Sequence, residues 1–359
     1  MRTTLEDRPC LLGQSCAALH MPWRVRLLSF FIVLAFAGLG YIYVRFYVTP
    51  KPHGVIVFFA PGLTLENLSR AMSSPDFPPS IMDHEAVASA LFFSRMKDSN
   101  PIQDVSQLYS WISTNQRGAA GSLGLDTSGN AADNLFYKAQ RSGRLIGLIS
   151  SDRITHPVAA SFYGHIHDAN DRPRLARQLL DSTQINIILG GNRNELMMDE
   201  KRNLFEEAEL SGYRLVSSPD ELASVPRWRS RRLLGLFQYP DALHDPEGHT
   251  HTPPLIEMVK VAIECLQYNI GGYFLVVVHP ATPLVSDYEE VNMEMLNAHV
   301  YQLNSALLAA CDYAGKSSTV ILVTTENLDL GWSILLQGRS DLGGMLSPES
   351  IHSFLENQF

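Results

Sequence analysis

Apolar and polar positions along this chain fall into two alternating rhythms. Short unbroken apolar runs occur at residues 55–59, 273–278 and 319–325, the pattern of strands buried on both faces of a sheet. Between them lie stretches with apolar residues every three or four positions, the mark of helices with one buried face. The pattern predicts strands at 54–59, 145–150, 185–189, 232–237, 273–278 and 319–325, with a last strand at 334–336. It predicts helices at 65–72, 85–96, 105–114, 131–141, 172–180, 195–210, 254–269 and 292–313. Such alternation argues an α/β fold: a mostly parallel central sheet sandwiched by helices.

In such sheets, chemistry gathers just past the carboxyl ends of the strands. Here those ends read Ala60-Pro61-Gly62, His279-Pro280-Ala281 and Glu326-Asn327. Only the last offers a carboxylate.

The amino-terminal end has a different character. Residues 27–44 carry no charge, with Arg24 and Arg26 just before them and Trp23, Tyr41, Tyr43 and Tyr47 near the two ends. About 20 apolar residues span a bilayer core, and the basic residues favour a cytoplasmic amino terminus. The expected organisation is a cytoplasmic segment at 1–26, a transmembrane anchor at 27–48, a linker at 49–53 and one folded domain at 54–359. That domain lies outside the cytoplasm, periplasmic or extracellular. Ala35-Phe36-Ala37 resembles a signal-peptidase site, so a secreted form cleaved after Ala37 is the alternative. Met1 and Met21 are both possible starts.

Composition narrows the picture. The chain has 359 residues, 45% of them hydrophobic and 18% charged, with a net charge of -9. An acidic chain without a basic tract is a poor nucleic-acid binder, because phosphate must be neutralised. The four cysteines, Cys10, Cys16, Cys265 and Cys311, form no CxxC, and the last two sit in helical patterns as small buried hydrophobes.

Several stretches carry a family resemblance: GLISSDRITHPVAASFYGH at 147–165, GAAGSLGLDTSG at 118–129, IILGGNR at 187–193, LLGLF at 233–237 and residues 254–278. In order and spacing the chain resembles the alkaline phosphatase family from about Val55 onward. The resemblance implies a serine nucleophile, two zinc ions, a magnesium ion and an arginine that clamps phosphate. Two metals in such a site stabilise the attacking and leaving oxygens together.

Carried over position by position, the resemblance finds those residues replaced. The metal-bridging aspartate after the first strand falls at Pro61, and the nucleophile falls at Val105. The magnesium-ligand hydroxyl falls at Val158, the phosphate-clamping arginine at Ala169 and a metal-binding glutamate at Val278. The next aspartate falls at Pro283, a zinc histidine at Asp287, and an Asp-His pair at Glu326-Asn327. The family's last histidine is deleted. The expectation is a catalytically inactive member, a pseudophosphatase, with no catalytic residue and no cofactor. It acts through its membrane helix and a protein partner or a second copy of itself. The alternative is a divergent phosphomonoesterase holding a residual zinc or magnesium ion at Asp287 and Glu326, with Asn327 and His279 as further candidates.

Other residues have competing readings. Asp104 and Ser106 flank Val105; Ser106 as a displaced nucleophile competes with Asp104 as a helix cap. His156, His165 and His167 are either a metal cluster or scaffold. His244, His249 and His251 are a zinc-binding loop or a solvated one. Gly190-Gly191 is a phosphate-binding turn or part of the scaffold.

Overall fold

The structure, a computed structural model, describes residues 23–46, 53–74, 77–81, 90–93, 102–181, 185–191, 193, 203–237, 252–281, 293–326, 329–337 and 347–359. The chain divides into two units, Met1–Pro50 and Lys51–Phe359. In the first, α1 (Trp23–Phe46) is a helix of 24 residues. Its large apolar side chains, Phe30, Phe31 and Phe36 among them, are exposed. Side chains of α1 are described at 23–24 and 27–40, and within the described residues no helix is long and apolar enough to cross a membrane.

The second unit is built on a nine-stranded sheet of order β2-β9-β8-β1-β7-β3-β4-β6-β5. Its strands are β1 (Gly54–Pro61), β2 (Ala90–Phe93), β3 (Leu145–Arg153), β4 (Ile187–Gly191), β5 (Arg214–Val216), β6 (Leu233–Phe237), β7 (Tyr273–Val278), β8 (Thr319–Glu326) and β9 (Asp329–Gln337). The run from β8 to β5 is parallel, and β9 pairs antiparallel with both β8 and β2. The order reverses at β1, where β7 lies on one side and β8 on the other.

Helices cover both faces. Residues 65–72 form α2 (Leu65–Met72), then come α3 (Val105–Thr114), α4 (Leu135–Arg141), α5 (Pro157–Ala160) and α6 (Arg172–Asp181). After them follow α7 (Leu204–Leu210), α8 (Pro219–Ala223), α9 (Leu255–Leu266), α10 (Met293–Ala314) and α11 (Pro348–Asn357). Because strand side chains alternate between faces, β1 feeds two separate cores. Val55, Val57 and Phe59 join the core under α3 to α7 and α11, while Ile56, Phe58 and Ala60 join the one under α2, α8, α9 and α10. The same alternation sends Phe274, Val276 and Val278 to the first core and Leu275 and Val277 to the second. Cys265 and Cys311 are free and buried in the second core.

Three expectations are corrected. Residues 85–96 are not a helix where described, since Ala90–Phe93 is a strand paired with Trp332–Leu335. Leu91, Phe92 and Phe93 suit a strand, and an available partner strand overrides weak helical periodicity. The last strand is longer than 334–336 and starts at Asp329, which pairs with Glu326 and leaves two residues between β8 and β9. The helix α11 was not expected at all. Its start carries a cap, with the Ser347 side chain accepting from Ser350 N and Pro348 in the first turn. A serine in place of the usual Glu at the third position hides that signal from a capping-box search.

The carboxyl-terminal helix is tied in by aromatic and charged contacts. The Phe359 ring lies 4.9 Å from that of Phe274, and the Arg144 guanidinium sits over it at 5.7 Å. The chain of rings continues through Phe136, Phe162, Phe59 and Tyr109. Buried His352 donates from Nδ1 to Ile112 O at 2.8 Å and accepts from Lys138 Nζ at 2.9 Å, and Lys138 pairs with Glu356 at 2.9 Å. Phe359 is 7% exposed, so Phe359→Ala is expected to cost about 3 kcal/mol, read as a lower midpoint in urea unfolding; an unchanged midpoint contradicts the packing role.

Candidate functional site

The reversal at β1 brings four strand ends into one row. Pro61 lies opposite Thr325, Phe59 opposite Val278, and Val278 opposite Ser150. Backbone pairing continues past the ends: Gly62 N donates to Thr325 O at 2.9 Å, His279 N to Phe59 O at 2.8 Å and Ala281 N to Pro61 O at 2.8 Å. Pro61 has no N–H to give, yet its carbonyl is used.

Apolar side chains occupy the face where these ends meet α3 and α5. Val158 and Val278 are fully buried, Ala169 is 3% exposed, and all three belong to one hydrophobic core. Val105 is partly buried and packs against the same core. Phe59, Phe162 and Tyr109 belong to the same core, with the Phe59 ring 5.3 Å from Tyr109 and 5.4 Å from Phe162. The Tyr109 hydroxyl, 3.2 Å from Thr325 Oγ1, is the polar point of this row, and burial pushes its pKa well up.

Local sequence explains why Val105 stands where it does. Asp104 caps α3: one carboxylate oxygen accepts from Gln107 N at 2.8 Å, and the other from Gly121 N at 2.6 Å. Both oxygens are spent on backbone. Ser106 is buried in the first helical turn. The Gly-rich stretch 118–124 is stitched to the same helix, with Gln107 Nε2 donating to Gly118 O at 2.9 Å and Gly124 N to Ser110 Oγ at 2.8 Å. Gly124 has φ +63 and no room for a side chain, since a Cβ would stand 2.2 Å from Gly164 O. Its glycine is a packing requirement. Gly190 and Gly191 likewise form the last two residues of β4, paired with Leu236 and Phe237, and make no phosphate-binding turn.

The histidines of the matched segment do not converge. His156 caps α5, with Nδ1 accepting from Val158 N at 3.3 Å, and burial lowers its pKa. His165 Nε2 lies 3.0 Å from Ala132 O, and His167 is exposed. Among the described residues no three His, Cys, Asp or Glu side chains stand close enough together to hold a metal ion. Pro283, Asp287, Asn327, the side chain of Glu326, and His244, His249 and His251 lie outside the described residues.

His279, the candidate donor on β7, is committed elsewhere. Its ring stacks on that of His299 from α10, with centroids 3.7 Å apart and planes at 7°. Nε2 lies 3.1 Å from His299 O and must donate, so Nδ1 accepts from Ser151 Oγ at 2.5 Å. A ring with both nitrogens engaged has no lone pair left for a cation. Sequence reasoning missed this pair because 20 residues separate its members, and it missed Ser151 and Tyr109 for the same reason. His299 Nε2 and Asn297 Oδ1, also buried, have no hydrogen-bond partner among the described residues.

A zinc or magnesium ion needs carboxylate, imidazole or hydroxyl donors. Val105, Val158, Ala169, Val278 and Pro61 supply none, and these residues do not fit such ions.

Burial holds the His279 imidazole at a pKa of about 4, against the ordinary 6.5, and drives His299 well below its usual value. A base whose folded pKa is depressed favours folding above pH 6.5 and loses that contribution as pH falls toward 4. From His279 alone, stability should drop by about 2 kcal/mol between pH 7 and pH 5. Urea unfolding at the two pH values checks this, and a flat profile contradicts it.

Comparison with known proteins places this geometry. A family model described as alkaline phosphatase matches residues 79–330. Alkaline phosphatase 4 of Bacillus subtilis is 23% identical over 322 residues, which is 86% of this chain and 63% of the relative. Alkaline phosphatase 3 of the same organism is 26% identical over 60% of this chain and 47% of its own length. The chain thus spans between 36% and 63% of the length of the curated relatives it matches. Among solved structures, the Thermus thermophilus alkaline phosphatase superposes with TM-score 0.65 at 20% identity, covering 76% of this chain and 59% of that one. The alkaline phosphatase of the Antarctic bacterium TAB5 gives TM-score 0.67 at 13% identity, covering 86% and 98%. These superpositions speak to the fold. With its sheet, its Gly-rich stitching and its matched segments in order, the chain belongs to the alkaline phosphatase family.

Proposed function

We propose that this chain is a catalytically inactive, membrane-anchored member of its family that acts by binding a protein partner, or a second copy of itself, outside the cytoplasm. One observation carries the reading. At the positions the resemblance gives to the nucleophile, magnesium ligand, clamp and glutamate stand Val105, Val158, Ala169 and Val278; the last three are buried in one apolar core, and Val105 packs against it. Burying a valine side chain is worth about 1.5–3 kcal/mol, so this arrangement stabilises the fold while leaving nothing to hold or attack phosphate. The uncharged stretch 27–44 with Arg24 and Arg26 before it supports the anchor and its orientation.

Phosphomonoester turnover by the purified full chain, with zinc and magnesium supplied, tests the reading. The expected result is no hydrolysis above that of a Val105→Asp control, and stoichiometric zinc with sustained turnover would sink it. A structural counterpart is Val278→Glu. It places a carboxylate in an apolar core and is expected to lower stability by about 3–5 kcal/mol. Stability near that of the unsubstituted chain would show an open polar crevice instead.

A further inference from the structure

All strands of the parallel run start on the same edge of the sheet, so the segments leading into them share one end of the domain. That end has a distinct chemistry. The segments 142–144, 211–213, 224–232, 267–272 and 315–318 contain Arg144, Arg227, Arg229, Arg231, Arg232 and Lys316 and not one Asp or Glu. The segments 192–202, 238–254 and 282–292, which follow β4, β6 and β7 in the sequence, hold nine acidic residues and three basic ones. In a chain of net charge -9, these strand-start segments are locally basic.

Large apolar side chains stand out from the same end. Ile270 is 101% exposed, Trp228 63% and Tyr268 62%. Arg229 stacks over the Trp228 ring at 4.2 Å. The Arg227 guanidinium holds Glu264 at 2.9 Å and so joins the Trp228 segment to the end of α9, from which Tyr268 and Ile270 follow. Acids at this end, Asp181, Glu209, Asp312 and Glu356, lie on the last turns of helices rather than in the segments that lead into the strands.

The chain also enters the domain here. His53 Nε2 lies 2.7 Å from Gln267 O, and Tyr273 N donates to His53 O at 2.9 Å. Six residues of sequence, 47–52, separate it from the end of α1.

We infer that this end of the domain docks on an anionic phospholipid surface. Trp228, Tyr268 and Ile270 enter the headgroup layer, and Arg229, Arg231 and Lys316 meet its negative charge. Amphipathic aromatics prefer that layer, apolar tips gain from partial burial in it, and basic side chains near it are attracted by anionic lipid. Charge decides between occupants: a patch of arginines with no acidic residue suits phosphate headgroups better than a second copy of the same basic face. The inference rests on the anchor proposed above, whose last uncharged residue lies a few positions before His53 in the sequence.

The test uses the full chain with Cys10→Ser and Cys16→Ser, carrying Ile270→Cys or, at the opposite end of the sheet, Asp220→Cys, each labelled with a fluorophore. It is reconstituted into phosphatidylcholine vesicles with or without about a quarter phosphatidylglycerol. A headgroup-level lipid quencher should quench position 270 strongly in the anionic vesicles and leave 220 bright. Adding Arg229→Glu with Arg231→Glu should reduce the quenching at 270 roughly three-fold. Equal quenching at the two positions, no quenching at 270, or protection of 270 by a dimer contact in detergent would overturn the docking. Alkaline carbonate extraction separates the two proposals. A chain that leaves the vesicles overturns the anchor on which the docking rests; one that stays with position 270 unquenched overturns the docking alone.

Discussion

The structure depends on one register. Phe59 on β1 and Ser150 on β3 both lie opposite Val278 on β7, and side-chain alternation then sends Val278 toward α3 and α5 together with Phe59. The family resemblance implies a glutamate at that point. Here it is a valine, and the packing around it follows. A buried carboxylate without a partner costs several kcal/mol, whereas a valine buried in the same core as Phe59, Val158 and Tyr109 contributes to that core. Val158 and Ala169, buried in the same core, likewise bring no polar group out of water.

The polar groups that survive near the row have been absorbed into the scaffold. Asp104 spends both oxygens on the backbone of α3 and of the Gly-rich stretch. His279 is locked between Ser151 and His299, and His156 caps α5. Each satisfied donor or acceptor holds a loop in the position the family fold requires.

Much of this was legible in the sequence because the parallel strands are buried on both faces. Runs such as 273–278 have no polar residue to confuse their reading, and the matched segments around 147–165 set the helix and strand order. What was not legible depends on partners distant in sequence. Ala90–Phe93 becomes a strand because β9 offers it an edge. β5 has only three residues and takes its identity from β6. The stacked His279 and His299 carry no spacing signal, since they stand 20 positions apart in the sequence and only the fold brings them together. The substituted site was readable residue by residue, but its closure was not: whether Val158 and Val278 touch water or each other's neighbours is a property of packing.

The most direct measurement is anomalous diffraction at the zinc edge from crystals of the chain grown with zinc. The account predicts no anomalous peak within about 2.1 Å, the zinc–ligand distance, of any side chain in the row formed by Pro61, Val105, Val158 and Val278, and it predicts continuous apolar packing there. A pair of zinc peaks at the carboxyl ends of β1 and β7 would contradict it.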